Sequence, residues 1–174
     1  MKAIRHSAVV FWTTLALGLA QAASASCKLQ ELHPVGANVD VGALHLNLGS
    51  PDNADKPTAW EGPMVVSRQN HASCTVNDNV AIISSPLMLG NERFLYVPTY
   101  SGSESIFYII DTQDCSIRWQ SHAYSGDAVF KKNSINLHDA GHVQLGPQCL
   151  PESGAAPSAP AVSPRSTGSS TRSA

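Results

Sequence analysis

Basic residues are few and scattered in the body of this chain: Lys131-Lys132 is the only adjacent basic pair between residues 26 and 152. A polyanion is gripped by clustered Lys and Arg that displace its counterions, so nucleic acid is not an expected partner. No apolar run reaches the roughly 20 residues a membrane-spanning helix needs, and no stable membrane insertion is expected of the mature chain. The sequence has no Cys-x-x-Cys pair, which leaves a redox dithiol or a zinc knuckle without local support. It also lacks the Gly-x-Ser-x-Gly nucleophile elbow. After the first 25 residues, no stretch shows the 3.6-residue apolar period of an amphipathic helix. A length of 174 residues excludes a TIM barrel of roughly 250 residues and a full propeller, whose blades need about 40–50 residues each.

What is present begins with an export signature. Lys2 and Arg5 precede a mostly apolar run from Ala8 to Ala20, and Ala23-Ser24-Ala25 supplies the small residues of a cleavage site. Residues 1–25 therefore read as a secretory signal peptide, with cleavage expected after Ala25 and Ala22 as the alternative. Cys27 invites comparison with a bacterial lipoprotein, but Ser24 stands where such signals carry a Leu-like residue, and acylation is not expected. At the other end, Ser, Ala, Pro, Gly and Thr make up 19 of the 22 residues from Ser153 to Ala174. A segment so poor in apolar surface cannot offset its chain entropy, so disorder is expected there. A single β-rich domain is left, from residue 26 to residue 152.

The two ends carry four of the eleven basic residues and none of the thirteen acids, so the domain holds seven basic against thirteen acidic side chains, a net charge of −6. Such a charge serves solubility and fits a basic partner protein. Cys27, Cys74, Cys115 and Cys149 remain after cleavage, an even number in a chain bound for an oxidising compartment, and predict two disulfides. Three connectivities are open. Sequential pairing, Cys27 with Cys74 and Cys115 with Cys149, closes the shorter loops and is preferred over the nested arrangement.

The domain reads as about nine strands. Val39–Leu48 alternates Leu44, Leu46 and Leu48 against His45 and Asn47 and predicts one strand; Gly49–Pro57 predicts a loop. Residues 63–68 and 76–84 are β-branched runs bounded by turn formers. Arg93–Tyr100 and Ile106–Asp111 are aromatic and β-branched runs that predict a hairpin around a five-residue loop, Ser101–Ser105. Pro98 cannot donate to a ladder, which places its strand at an edge or at a bulge. Strands follow at 116–121 and 128–132, and a last hairpin joins 134–138 to 142–146 through Asp139-Ala140-Gly141. The predicted fold is all-β, an antiparallel sandwich or small barrel of meander hairpins stapled by disulfides. The stretch from Phe94 through Asp111-Thr112-Gln113-Asp114-Cys115 to Trp119 resembles a single blade of a quinoprotein-type propeller. One blade cannot close a propeller and no second is visible, so the stretch reads as meander geometry and assigns no family.

Few side chains carry chemistry. His138 and His142 flank the last hairpin turn beside Asp139, and two imidazoles on one strand face can hold a divalent transition metal; they equally suit the solvent face opposite Ile135, Leu137, Val143 and Leu145. Glu104 with Asp111 or Asp114 would form a carboxylate pair. Asp52-Asn53-Ala54-Asp55 and Asn77-Asp78-Asn79 resemble calcium loops in composition only. Tyr100 and Tyr108, with Phe94 and Tyr96, are either sandwich filling or a binding surface, depending on which strand faces are covered. The expected function is a small exported, non-enzymatic protein-binding domain without a cofactor, such as a periplasmic inhibitor or immunity protein. Its expected binding residues are Tyr100, Gly102, Ser103, Glu104 and Tyr108. The alternatives are an exported metal-assisted hydrolase using His138 and His142, and an envelope structural module.

Overall fold

The computed structural model describes residues 26–76, 80 and 82–152. The expected signal peptide, the expected tail and the Asn77–Asn79 turn lie outside these residues. In chain order the strands are β1 (Leu29–Leu32), β2 (Asn38–Val41), β3 (Leu44–Asn47), β4 (Ser50–Pro51), β5 (Ala59–Glu61), β6 (Val65–Arg68), β7 (Cys74–Thr75), β8 (Ile82–Ser84), β9 (Leu87–Gly90), β10 (Phe94–Ser101), β11 (Glu104–Asp111), β12 (Ile117–Gln120), β13 (Ala128–Lys131), β14 (Ser134–Leu137) and β15 (Gly141–Gln144). A single 3₁₀ turn, His138–Ala140, precedes β15. Among the described residues there is no α-helix, and none long and apolar enough to cross a membrane.

The longest hairpin, β10 with β11, forms the spine because its sequence is apolar on both sides. Leu95 and Val97 with Tyr108 and Ile110 face one way; Phe94 and Tyr96 with Phe107 and Ile109 face the other. A sheet built on such a hairpin must be covered on both faces. Its eight strands are β1, β4, β5 and β8–β12, all antiparallel. On one face β2-β3-β6-β7 packs Val39, Leu44, Leu46 and Val66 against Leu95 and Val97. On the opposite face β13-β14-β15 packs Ile135, Leu137 and Val143 against Tyr96 and Phe107. The result is a three-layered all-β fold with two separate cores.

Each disulfide belongs to one core. Cys27–Cys149 lies in the core under β13–β15, and Cys74–Cys115 in the core under the four-stranded sheet. The pairing is therefore nested, which corrects the expected sequential connectivity. Closure entropy grows only logarithmically with loop length; the layers decide the pairing, setting the partners 4.9 and 5.8 Å apart at Cα within bonding geometry. Two disulfides in a small β domain are consistent with an oxidising, exported location.

Three local expectations change. The run 39–48 is a hairpin, because Gly42 takes φ +56° as the first residue of a two-residue turn between Val41 and Leu44. The β10–β11 loop is Gly102-Ser103 alone, since the ladder continues through Tyr100–Ser105 to Ser101–Glu104. Pro98 sits in a central strand. Its carbonyl accepts from Ser84 Oγ at 3.3 Å, so its nitrogen faces the same side. On that side the neighbour changes, β9 pairing with Phe94–Tyr96 and β8 with Thr99–Tyr100. The missing donor falls in the gap between them.

Candidate functional site

Two stretches of similar composition meet at the tip of the spine. Tyr100-Ser101-Gly102-Ser103 forms the β10–β11 turn, and Tyr124-Ser125-Gly126-Asp127 leads from β12 into β13, with Gly102 at φ +64° and Gly126 at φ +78°. Ser105 and Tyr124 bind the two stretches together through reciprocal backbone hydrogen bonds of 2.8 and 2.9 Å. Between them opens a cleft of about 370 Å³. Tyr100, Gly102, Ser103, Ser105, Tyr124, Gly126 and Asp127 line it, together with Thr58, Ala59, Ser84, Ser85, Pro98 and Ala128. Residues with hydroxyls therefore line it from four segments, with one carboxylate among them. Two tyrosines, Pro98, two alanines and two glycines are also in the lining.

The walls are fixed by their own hydrogen bonds. Asp139 accepts from the Ser125 N–H and the Ser125 hydroxyl, both at 2.9 Å, and so ties the second stretch to the 3₁₀ turn. The Ser125 N–H, then its hydroxyl, hold the Asp139 carboxyl below the usual range. Tyr124 is buried, and burial, followed by the negative charge of Asp127, pushes its phenol up to about 12. It stays a neutral donor at any physiological pH. Among the described residues Tyr100 is one of three large apolar side chains left exposed, at 37%.

The structure distributes the expected site residues unevenly. Tyr100, Gly102 and Ser103 line the cleft; Glu104 is exposed at the tip, opposite Ser101. Tyr108 is 3% exposed and belongs to the core beneath the four-stranded sheet. Both faces of the spine being covered, Phe94 and Tyr96 are filling too. His138 lies in the 3₁₀ turn, whereas His142 stands opposite Asn136 in the ladder; both are exposed. Asp139, beside them in sequence, is engaged by Ser125. Among the described residues no group of three or more His, Cys, Asp or Glu is placed to hold a metal ion. Asp52 accepts from the Thr58 N–H, the Thr58 hydroxyl and the Ala59 N–H, which makes its loop a closed turn.

Glu104 and Asp111 form no carboxylate pair, since they end the same strand about 24 Å apart at 3.4 Å per residue. Asp111 is fully buried and serves a different purpose. Arg93 and Arg118 each reach its carboxylate at 2.7 Å, and the Gln113 N–H donates at 3.0 Å. Burial alone would raise its pKa; Arg93, the Gln113 N–H and Arg118 together outweigh that and hold it at about 2. This network ties the start of β10 to the end of β11 and to β12.

The residues that sequence reasoning missed include Thr58, Ser84, Ser85, Tyr124, Gly126 and Asp127. A signal for Tyr124 and Gly126 was present, the recurrence of Tyr-Ser-Gly at 100–102 and 124–126. Compared with known proteins, the chain matches no family model and no curated protein sequence.

Proposed function

We propose that this is an exported protein-binding domain, an inhibitor-like module that engages another protein through the cleft between its two Tyr-Ser-Gly turns. One observation carries the reading: the two turns are locked face to face and present the residue types that binding loops favour. Tyrosine offers a large amphipathic contact with two side-chain torsions to order, while Ser and Gly adapt their hydrogen bonds to the partner. The exposed Tyr100 is the anchor, since tyrosine is enriched among residues that dominate interface energy. A ladder-bound tip loses little entropy on docking, so its contacts appear as affinity. Disulfides and the amino-terminal sequence support export, the setting in which such a module would meet its partner.

A photo-crosslinking residue at Ser103, and separately at Gln69 in the distant four-stranded layer, tests the site. The reading expects one defined adduct from Ser103 and none from Gln69. The partner so identified, titrated with purified protein, should lose about 1–3 kcal/mol of affinity with Tyr100→Ala. Equal adducts from both positions, or unchanged affinity in a folded Tyr100→Ala variant, would move the function away from the cleft.

A further inference from the structure

The basic residues of the domain are unevenly spent. Its three arginines are committed: Arg93 and Arg118 to Asp111, and Arg68 to the Thr112 hydroxyl and the Glu92 carbonyl. Of its four lysines, Lys28, Lys131 and Lys132 border one groove of about 470 Å³, and only Lys56 lies elsewhere. None of the three is in an ion pair among the described residues. The groove is floored by Leu29, Met88 and Phe130, each half-buried, and no carboxylate lines it. Glu31 stands opposite Met88, just beyond the groove, and Glu92 lines the separate hollow on the far side of Lys28.

The groove also lies along an unpaired strand edge. β13 pairs with β14 and with no other strand among the described residues, and β1 pairs only with β9. A four-residue strand turns two residues' N–H and C=O groups outward, ready to accept an added strand. Along β13 the side chains alternate, Phe130 toward the apolar floor, Val129 and Lys131 toward solvent. An added strand would meet the same alternation, one face apolar and the other opposite ammonium groups.

We propose that β13 is a second docking surface, which takes an extended segment of another protein in which acidic and apolar residues alternate. The apolar side chains seat on Leu29, Met88 and Phe130, and the carboxylates meet Lys28, Lys131 and Lys132. Charge selects this occupant over two nearer ones. A second copy pairing through the same edge would bring these lysines together, and like charges face to face disfavour that contact. The chain's own carboxy-terminal stretch carries Arg165 and Arg172 and no acid.

The test uses the exported protein and a synthetic peptide of about ten alternating Glu and Ile residues, enough to span the strand. A second peptide carries Lys in place of Glu, and vesicles of phosphatidylglycerol form a third arm. The Glu peptide should bind with slowed amide exchange at Ala128–Lys131, weaken in about 0.5 M salt, and leave the Lys peptide unbound. Lys131→Glu with Lys132→Glu should lower its affinity about tenfold or more, Glu31→Gln should raise it, and Lys56→Glu should leave it unchanged. Equal binding of both peptides, or binding without protection in β13, would overturn the proposal. Capture by the vesicles with no peptide binding would also overturn it and assign the lysines to a membrane surface.

Discussion

Replacing Asp111 with Asn removes one buried charge and keeps the shape, so its cost is set by the electrostatics of a single carboxylate. The carboxyl is held at about 2 against an ordinary value of 3.8. A group depressed by nearly two units contributes about 2 kcal/mol to folding once the pH is above its unfolded value. Above pH 4 that contribution is complete; it drains away as the pH falls from about 4 to about 2, because the unfolded chain binds the proton first. Arg93 and Arg118 are 43% and 39% exposed, so each rehydrates when the charge is lost, and no further penalty of a stranded buried cation is expected. An Asn amide oxygen still accepts from the Gln113 N–H. Denaturant unfolding of both proteins from pH 7 to pH 2 measures the effect. The gap should be about 2 kcal/mol at neutral pH and should close toward pH 2, whereas slopes from Asp52 and Asp139, whose carboxyls are lowered by local hydrogen bonds that do not involve Asp111, cancel in the difference. A gap that is absent at pH 7, or that stays constant down to pH 2, would refute the reasoning.

Three other outcomes follow from the packing. Peptide mapping under non-reducing conditions should recover Cys27 linked to Cys149 and Cys74 linked to Cys115 with no free thiol; replacing the first pair, whose loop spans 122 residues, should cost up to about 5 kcal/mol in the chain-entropy view. Tyr96→Phe deletes the buried bond to the Cys149 carbonyl, 2.6 Å long, and should lower unfolding stability by about 1–2 kcal/mol with little change in the cores. Asp139→Ala frees the Ser125 N–H and hydroxyl; amide exchange at Ser125 should accelerate while exchange in β10 and β11 stays slow.

Legibility in the sequence followed the number of residues that had to agree. β10 and β11 were readable because eleven of their sixteen positions are aromatic, β-branched or Leu. The short strands β4, β5, β7 and β9 were not, since two to four residues carry too little pattern to outvote Gly, Pro and Ser nearby. Val41-Gly42-Ala43-Leu44 conceals its turn because alternation resumes after it, although Gly followed by a small residue is a known two-residue turn signal. Pro98 obeys its rule in a way sequence does not display: the ladder breaks on the neighbouring strand. The disulfides depend on which outer layer each cysteine joins, a property of three-dimensional stacking. At the cleft, Tyr100, Gly102 and Ser103 were found as turn residues beside aromatics. Tyr108 was misplaced with them because the same alternation serves a surface and a doubly covered sheet.

The cleft between the two Tyr-Ser-Gly turns is the centre of this account, and backbone hydrogen exchange on the protein with and without its crosslinked partner tests it most directly. Binding should slow exchange at residues 101–105 and 124–127, on both walls at once, and leave residues 43–45 of the four-stranded layer unchanged. Protection confined to the four-stranded layer, or to one wall alone, would contradict it.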